Sequence, residues 1–136
     1  MVRYLHHKEV ILLNALIIKR YSPGEQIGVK EPALLDSAVN RPQQRAFGEE
    51  AYPTLWLKAA ALYSSIAQHY AFHNANKRTA FAAMKQLIWV NGYQLMVPEN
   101  EAADFTVELV VRNPSLNVEE IGAWIKDHSK QRDMDK

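Results

Sequence analysis

Two apolar stripes at helical spacing, joined by one short polar loop, limit most strongly what this chain can fold into. The first stripe consists of Leu55, Ala59, Leu62 and Ile66, and the second of Ala80, Met84, Leu87 and Ile88. Such spacing is typical of helices that bury one face. The pattern therefore predicts two core helices, one beginning at Pro53 and one ending near Val90, that meet at the polar loop formed by residues 70–79.

The polar loop ends in two adjacent cations, Lys77 and Arg78, which we place in the first turn of the second core helix. Positive charge is unfavourable there, by about 0.3–1 kcal/mol per group, because the helix dipole is already positive at this end. A bound anion would make the two cations favourable at this position, since free backbone N–H groups and both cations would converge on it. Asn74 and Asn76 favour an anion site because asparagine can cap a helix and tolerates left-handed backbone. The alternative, in which both cations simply extend into water, stays open.

The rest of the chain predicts four further helices and little β-structure. These helices cover about residues 7–20, 32–40, 98–111 and 117–129, and residues 42–50 read as a polar loop. Two glycines without periodicity in residues 22–30 indicate a mobile flap or short hairpin. Tyr93–Val97 is a candidate strand that could pair with Val2–Leu5, and the charged tail 130–136 should be frayed. We expect a single domain over residues 1–136, a mainly α bundle of about six helices with at most a small β pair.

The composition of the chain excludes several classes of function but does not identify one. The chain has 16 Lys and Arg against 15 Asp and Glu, a net charge of +1, which argues against a large nucleic-acid footprint. It has no cysteine, so disulfides and thiolate metal sites are excluded. No stretch approaches the roughly 18 consecutive apolar residues of a membrane span, and the first ten residues lack the layout of a signal peptide. We therefore expect a cytoplasmic protein without a membrane partner or direct nucleic-acid binding.

The polar loop also carries a motif. Phe72 and the run Asn74-Ala75-Asn76-Lys77-Arg78 stand in the order and spacing of the Fic/Doc signature, and the chain resembles the Doc ("death on curing") toxin branch of that family. Residues 31–43, 48–55, 58–68 and 90–95 are also similar to Doc-type proteins. The resemblance covers roughly residues 2–128, and Phe72 looks like an anchor that holds the loop in the core.

One position departs from the Doc motif: Tyr70 stands where the family has histidine. In the family that histidine is the general base which takes the proton from the target hydroxyl. A neutral imidazole suits this task, whereas a phenol, with a pKa near 10, is protonated at neutral pH. Tyr70 can be a deliberate His→Tyr inactivation of a toxic protein, which we favour, or the mark of a naturally silent homologue. In a third alternative, His69 or His73 replaces the missing base.

The resemblance implies the roles of the remaining loop residues. The backbone amides of Asn74, Ala75 and Asn76 would form an anion hole for the phosphates of ATP. Lys77 and Arg78 would neutralise the triphosphate, and Asn74 would take the place of the acidic Mg²⁺ ligand. A carboxamide oxygen should hold Mg²⁺ more weakly than a carboxylate does.

The resemblance also implies a reaction and partners. Doc-branch proteins, with lysine at the position of Lys77, transfer the γ-phosphate to a threonine of elongation factor Tu, whereas Fic proteins with glycine there transfer AMP. The flap residues Ile27, Gly28 and Val29 would align the target by strand addition. A Phd-type antitoxin would place a helical tail in a groove of the toxin. Two alternatives stay open: an AMP-transferring Fic enzyme, and a catalytically silent protein that binds its antitoxin and acts as a co-repressor.

Overall fold

Six helices make up most of the computed structural model, which describes residues 1–133. They are α1 (His7–Tyr21), α2 (Pro32–Asn40), α3 (Leu55–His69), α4 (Asn76–Val90), α5 (Glu99–Val111) and α6 (Val118–Asp127). Two antiparallel strand pairs accompany them in the described residues, β1 (Arg45–Ala46) with β2 (Glu49–Glu50) and β3 (Tyr93–Leu95) with β4 (Ser129–Gln131). The mainly α architecture is confirmed, although the sequence anticipated only one strand pair.

Helix α3 lies at the centre of the core. It packs against α4 on one side and α6 on another, and an unbroken run from Lys58 to Ala67 is buried. Its alanines allow neighbouring backbones to come close. Gly122 of α6 serves the same purpose, because a Cβ there would lie 3.2 Å from the carbonyl oxygen of Trp56. The two core helices predicted from the apolar stripes are therefore confirmed, and they meet at residues 70–75.

Two polar groups within this core are paired. The hydroxyl of Tyr63 forms a hydrogen bond with that of Thr106 on α5, and burial raises the pKa of the Tyr63 phenol. The buried ammonium of Lys58 donates to Glu50 Oε1 at 3.0 Å and to the carbonyl of Tyr52. Lys58 thereby fastens the β1–β2 hairpin, in the stretch that the sequence indicated as a plain loop, onto α3.

The predicted pairing of Tyr93–Val97 with Val2–Leu5 is wrong. β3 pairs instead with β4, in a register that places Tyr93 opposite Gln131 and Leu95 opposite Ser129. The N-terminal segment is held by a side chain rather than by a strand. Asn91 Oδ1 accepts a hydrogen bond from the backbone N–H of Arg3, and Asn91 Nδ2 donates one to the backbone carbonyl of Arg3, both at 2.8 Å. An asparagine amide offers the same donor and acceptor as a peptide unit, so it satisfies the segment without a ladder.

The prediction of a frayed tail over residues 130–136 is wrong for residues 130–133, which the structure describes as ordered. Lys130 and Gln131 belong to β4, and the Arg132 guanidinium lies 4.0 Å from the centroid of the Trp89 ring. Only residues 134–136 of the predicted tail lie outside the described residues. Within residues 1–133, no helix has the length and apolar character needed to cross a membrane.

Candidate functional site

The loop between α3 and α4 is built on two left-handed residues. Tyr70 ends α3 with φ 51° and ψ 48°, and Ala75 precedes α4 with φ 61° and ψ 30°. We expected asparagine to supply such a conformation, because its side chain lowers the steric cost. The structure instead assigns it to two residues for which it is unfavourable. The surrounding contacts therefore determine the course of this loop.

The two asparagines of the loop tie the backbone together and do not cap α4. Asn76 Oδ1 accepts from the N–H of Phe72 and Asn76 Nδ2 donates to the carbonyl of Phe72, both at 3.0 Å. Asn74 Nδ2 donates to the carbonyl of Gln26 in the flap at 3.0 Å. The predicted capping role is wrong, since no side chain caps α4 in the described residues. The first-turn N–H groups consequently remain available to an anion.

Burial anchors the loop at two points. Phe72, 1% exposed, packs in the core as expected. Asn14 of α1, also 1% exposed, donates through Nδ2 to the carbonyl of Asn74 at 2.9 Å and to Thr79 Oγ1 at 3.0 Å. Asn14 lies outside the site residues that the sequence predicts. The sequence does contain one indication of its role. Asn14 is a polar residue beside Val10 and Leu13 in the apolar stripe of the first helix, and a buried amide there would be costly without a hydrogen-bond partner.

Replacing Asn14 by leucine should lower the free energy of unfolding by about 1–2 kcal/mol. The change removes both donors that join α1 to Asn74 and Thr79. Part of the loss is offset, because Asn14 Oδ1 is buried without a partner among residues 1–133 and disappears with the substitution. Urea denaturation measures the difference, and Leu12→Ala on the exposed side of α1 serves as a control, within about 0.5 kcal/mol of the parent. Unchanged stability in Asn14→Leu would show that these hydrogen bonds do not outweigh the cost of the unpaired oxygen.

Lys77 and Arg78 stand side by side at the start of α4, and both are exposed. Neither side chain forms a hydrogen bond or an ion pair with any of residues 1–133. They line one end of a groove of about 450 Å³ between α1, α4 and α5. The other lining residues are mostly apolar, with one further cation and one carboxylate: Ile17, Tyr21, Phe81, Ala82, Lys85, Leu95, Val97, Glu99, Ala102, Ala103 and Thr106. The two cations thus remain available for an anion, and anion binding remains a prediction.

The left-handed backbone at Tyr70 leaves its ring 43% exposed at the end of α3. No residue among 1–133 forms a hydrogen bond with its hydroxyl. His69 and His73, the alternative bases, are both exposed, and His73 contributes its backbone N–H to the carbonyl of Gly28 at 3.1 Å. Neither imidazole forms a hydrogen bond or an ion pair with residues 1–133. All three side chains are thus exposed to solvent at this loop, and the assignment of the base stays a prediction.

The flap is joined to the loop as an extended segment and is not a hairpin. Lys30 N–H donates to the carbonyl of Ala71 at 2.8 Å, and the bond from His73 to Gly28 completes an isolated antiparallel bridge between Val29 and Phe72. In this pattern the N–H and C=O of Val29 point away from the loop. Ile27 is exposed beside it. The outer edge of the flap therefore has the form needed for strand addition, and its target-docking role remains a proposal.

Comparison with known proteins identifies the family of the chain. Residues 4–88 match the Fic/DOC family. The chain belongs to the Fic/Doc family. It is 41% identical over 108 residues to a protein named Toxin Doc from Mycolicibacterium smegmatis, a match that covers 79% of this chain and 75% of that protein. It is 31% identical over 106 residues to Protein kinase doc from Escherichia phage P1, covering 78% and 81% respectively.

The Fic/Doc site fits phosphate better than it fits a metal by itself. The N–H groups at the start of α4, which no side chain of residues 1–133 caps, suit a polyphosphate together with Lys77 and Arg78 beside them. For Mg²⁺ the loop offers the neutral Asn74, and residues 1–133 contain no group of three His, Asp or Glu side chains that could hold a metal. Mg²⁺ commonly binds through one or two protein ligands and the phosphates of its substrate. Any Mg²⁺ here would accordingly depend on the nucleotide and on bound water for most of its ligands.

Proposed function

We propose that this chain is a Doc-type toxin that transfers the γ-phosphate of ATP to a threonine hydroxyl of a translation factor such as elongation factor Tu. One observation carries the proposal: within a Fic/Doc signature, Lys77 and Arg78 form no hydrogen bond or ion pair with residues 1–133, and no side chain of those residues caps the N–H groups beside them at the start of α4. The names of the two relatives, a toxin and a protein kinase, support the choice. Such a protein would act in the cytoplasm, where translation takes place.

Each part of the site has a role in that transfer. Phosphoryl transfer depends mainly on positioning and on neutralising charge, and little on covalent chemistry by the protein. The amides of Asn74, Ala75 and Asn76 would orient the phosphates, while Lys77 and Arg78 neutralise them. Mg²⁺, when bound with ATP, would add further charge neutralisation, and Asn74 is its protein ligand in this proposal. Ile27, Gly28 and Val29 would align the target chain by strand addition.

The transfer requires a base for the proton of the target hydroxyl, and position 70 is where the family motif has that base. The target oxygen forms a new bond to the γ-phosphorus, the bond between that phosphorus and ADP breaks, and the hydroxyl proton must leave to a base. A phenol is already protonated at neutral pH and accepts this proton poorly. We therefore propose that the chain with Tyr70 retains the binding site and has lost most of its transfer activity.

Transfer from labelled ATP distinguishes the candidate functions. The Tyr70→His protein is incubated with elongation factor Tu and with either γ-labelled or α-labelled ATP. We expect label on elongation factor Tu only from γ-labelled ATP. Label from α-labelled ATP would instead establish an AMP transferase. Absence of transfer from both would favour a protein that only binds its antitoxin.

We also propose that the groove receives a helical segment of a Phd-type antitoxin. Its apolar lining together with Lys77, Arg78 and Lys85 suits an amphipathic helix that carries acidic residues. Ala82→Glu places a carboxylate among the groove residues and should weaken binding of an antitoxin tail peptide about tenfold or more. Leu12→Glu, an exposed position on α1 that does not line the groove, is the matched control. Equal binding by both variants, measured by calorimetry, would place the antitoxin elsewhere.

A further inference from the structure

Arg78 is held by a residue outside the signature loop. Its guanidinium carbon lies over the ring of Tyr21, the last residue of α1, at 4.1 Å from the ring centroid. The guanidinium carbon of Arg20 is 5.4 Å from the same centroid. Tyr21 and Arg78 both line the groove. Helix α1 therefore contributes an aromatic platform to the cationic end of that groove.

This contact with the ring holds the guanidinium without using a hydrogen-bond acceptor. An aromatic ring attracts a cation to its face. The five N–H donors of arginine lie in the guanidinium plane and point outward from its edge. Since Arg78 forms no hydrogen bond or ion pair with residues 1–133, that edge remains available. A long side chain that is already ordered also loses less freedom when it binds an anion.

We propose that Tyr21 is a positioning residue, which holds Arg78 so that its N–H edge can bind a phosphate of the nucleotide. The inference rests on the proposed function, because it assumes that phosphate binds at Lys77 and Arg78. It also implies that the two cations differ in how well their side chains are ordered before the phosphate binds, because no aromatic ring in residues 1–133 contacts Lys77 as Tyr21 contacts Arg78. Arg78 is the pre-ordered member of the pair and Lys77 is the adaptable one.

The first test measures binding, so it needs no transfer activity and can use the chain with Tyr70. Calorimetric titration with MgATP, and separately with inorganic triphosphate, compares Tyr21→Leu with Tyr21→Phe. We expect Tyr21→Leu to raise the Kd for both ligands about three- to tenfold, and Tyr21→Phe, which keeps the ring, to change it by less than about twofold. Tyr21 is 46% exposed, so both variants should fold, and thermal melts check this.

The second test asks whether Tyr21 acts through Arg78. In an Arg78→Ala background, Tyr21→Leu should cause no further loss of affinity. In the free protein, ¹⁵N relaxation of Arg78 Nε should show greater mobility in Tyr21→Leu than in Tyr21→Phe. A loss that persists in the Arg78→Ala background, or equal mobility in the two variants, would overturn the positioning role.

The outcomes for this inference and for the proposed function can be told apart. If the unsubstituted protein binds MgATP and triphosphate as tightly as Tyr21→Leu does, the inference fails and the proposed function stands. If the unsubstituted protein binds neither ligand, both the proposed function and the inference are contradicted.

Discussion

Tyr70→His is expected to raise the rate of γ-phosphate transfer to elongation factor Tu by about 10²- to 10⁴-fold, the usual contribution of a well-placed general base. The left-handed backbone of position 70 supports this expectation. It directs the side chain outward at the junction with the signature loop, and histidine adopts this conformation more readily than most residues. The substitution should therefore add a base without loss of stability.

Rates of label transfer at several pH values test this prediction. Activity of Tyr70→His should rise with pH through an apparent pKa near 6.5, as a neutral imidazole becomes available. Tyr70→Phe is the matched control: it lacks the hydroxyl and should be as slow as the parent. Residual parent activity that is lost in His69→Ala or His73→Ala would identify a substitute base. A folded Tyr70→His protein that transfers no faster than Tyr70→Phe would contradict the assignment of position 70.

Lys77→Ala, introduced together with Tyr70→His, should lower transfer by about 10²- to 10³-fold, similar to the loss of one donor that stabilises developing charge. Removing the Lys77 ammonium leaves Arg78 alone, in place of two adjacent cations, to neutralise the triphosphate. The same substitution should leave the protein as stable or raise its unfolding free energy by about 0.3–1 kcal/mol, because a positive charge leaves the positive end of α4. Lower activity with equal or higher stability is a combination that simple unfolding cannot produce.

Lys85→Ala is the matched control for this experiment. Lys85 is an exposed lysine of the same helix and lines the same groove, but it lies about two turns further along. Its removal changes net charge equally and should alter transfer by less than about twofold, since exposed charges at this separation are largely screened. An equal loss in both variants would show that the groove attracts ATP only through its overall charge. Unchanged turnover in Lys77→Ala would refute the phosphate role of Lys77.

The sequence by itself determined the helices, the place where the two core helices meet, and the cations at the start of α4. These features depend on local periodicity and on a motif of neighbouring residues, so they are visible without knowing what packs against them. Membership of the Fic/Doc family follows from the same short motif and its flanks. The burial of Phe72 was also predictable from the sequence, since a large apolar side chain in a polar loop is usually buried in the core.

Only the tertiary structure decided which residues hold the loop in its shape. Asn14 and Tyr21 of α1 contact Thr79 and Arg78 in the first turn of α4 from positions more than fifty residues earlier in the chain. A local sequence pattern cannot predict contacts over such a separation. The pairing of β3 with β4, in place of Val2–Leu5, likewise depends on where α6 ends. Left-handed backbone fell on Tyr70 and Ala75, and not on the asparagines, because buried anchors and long-range hydrogen bonds outweighed the intrinsic preference of each residue.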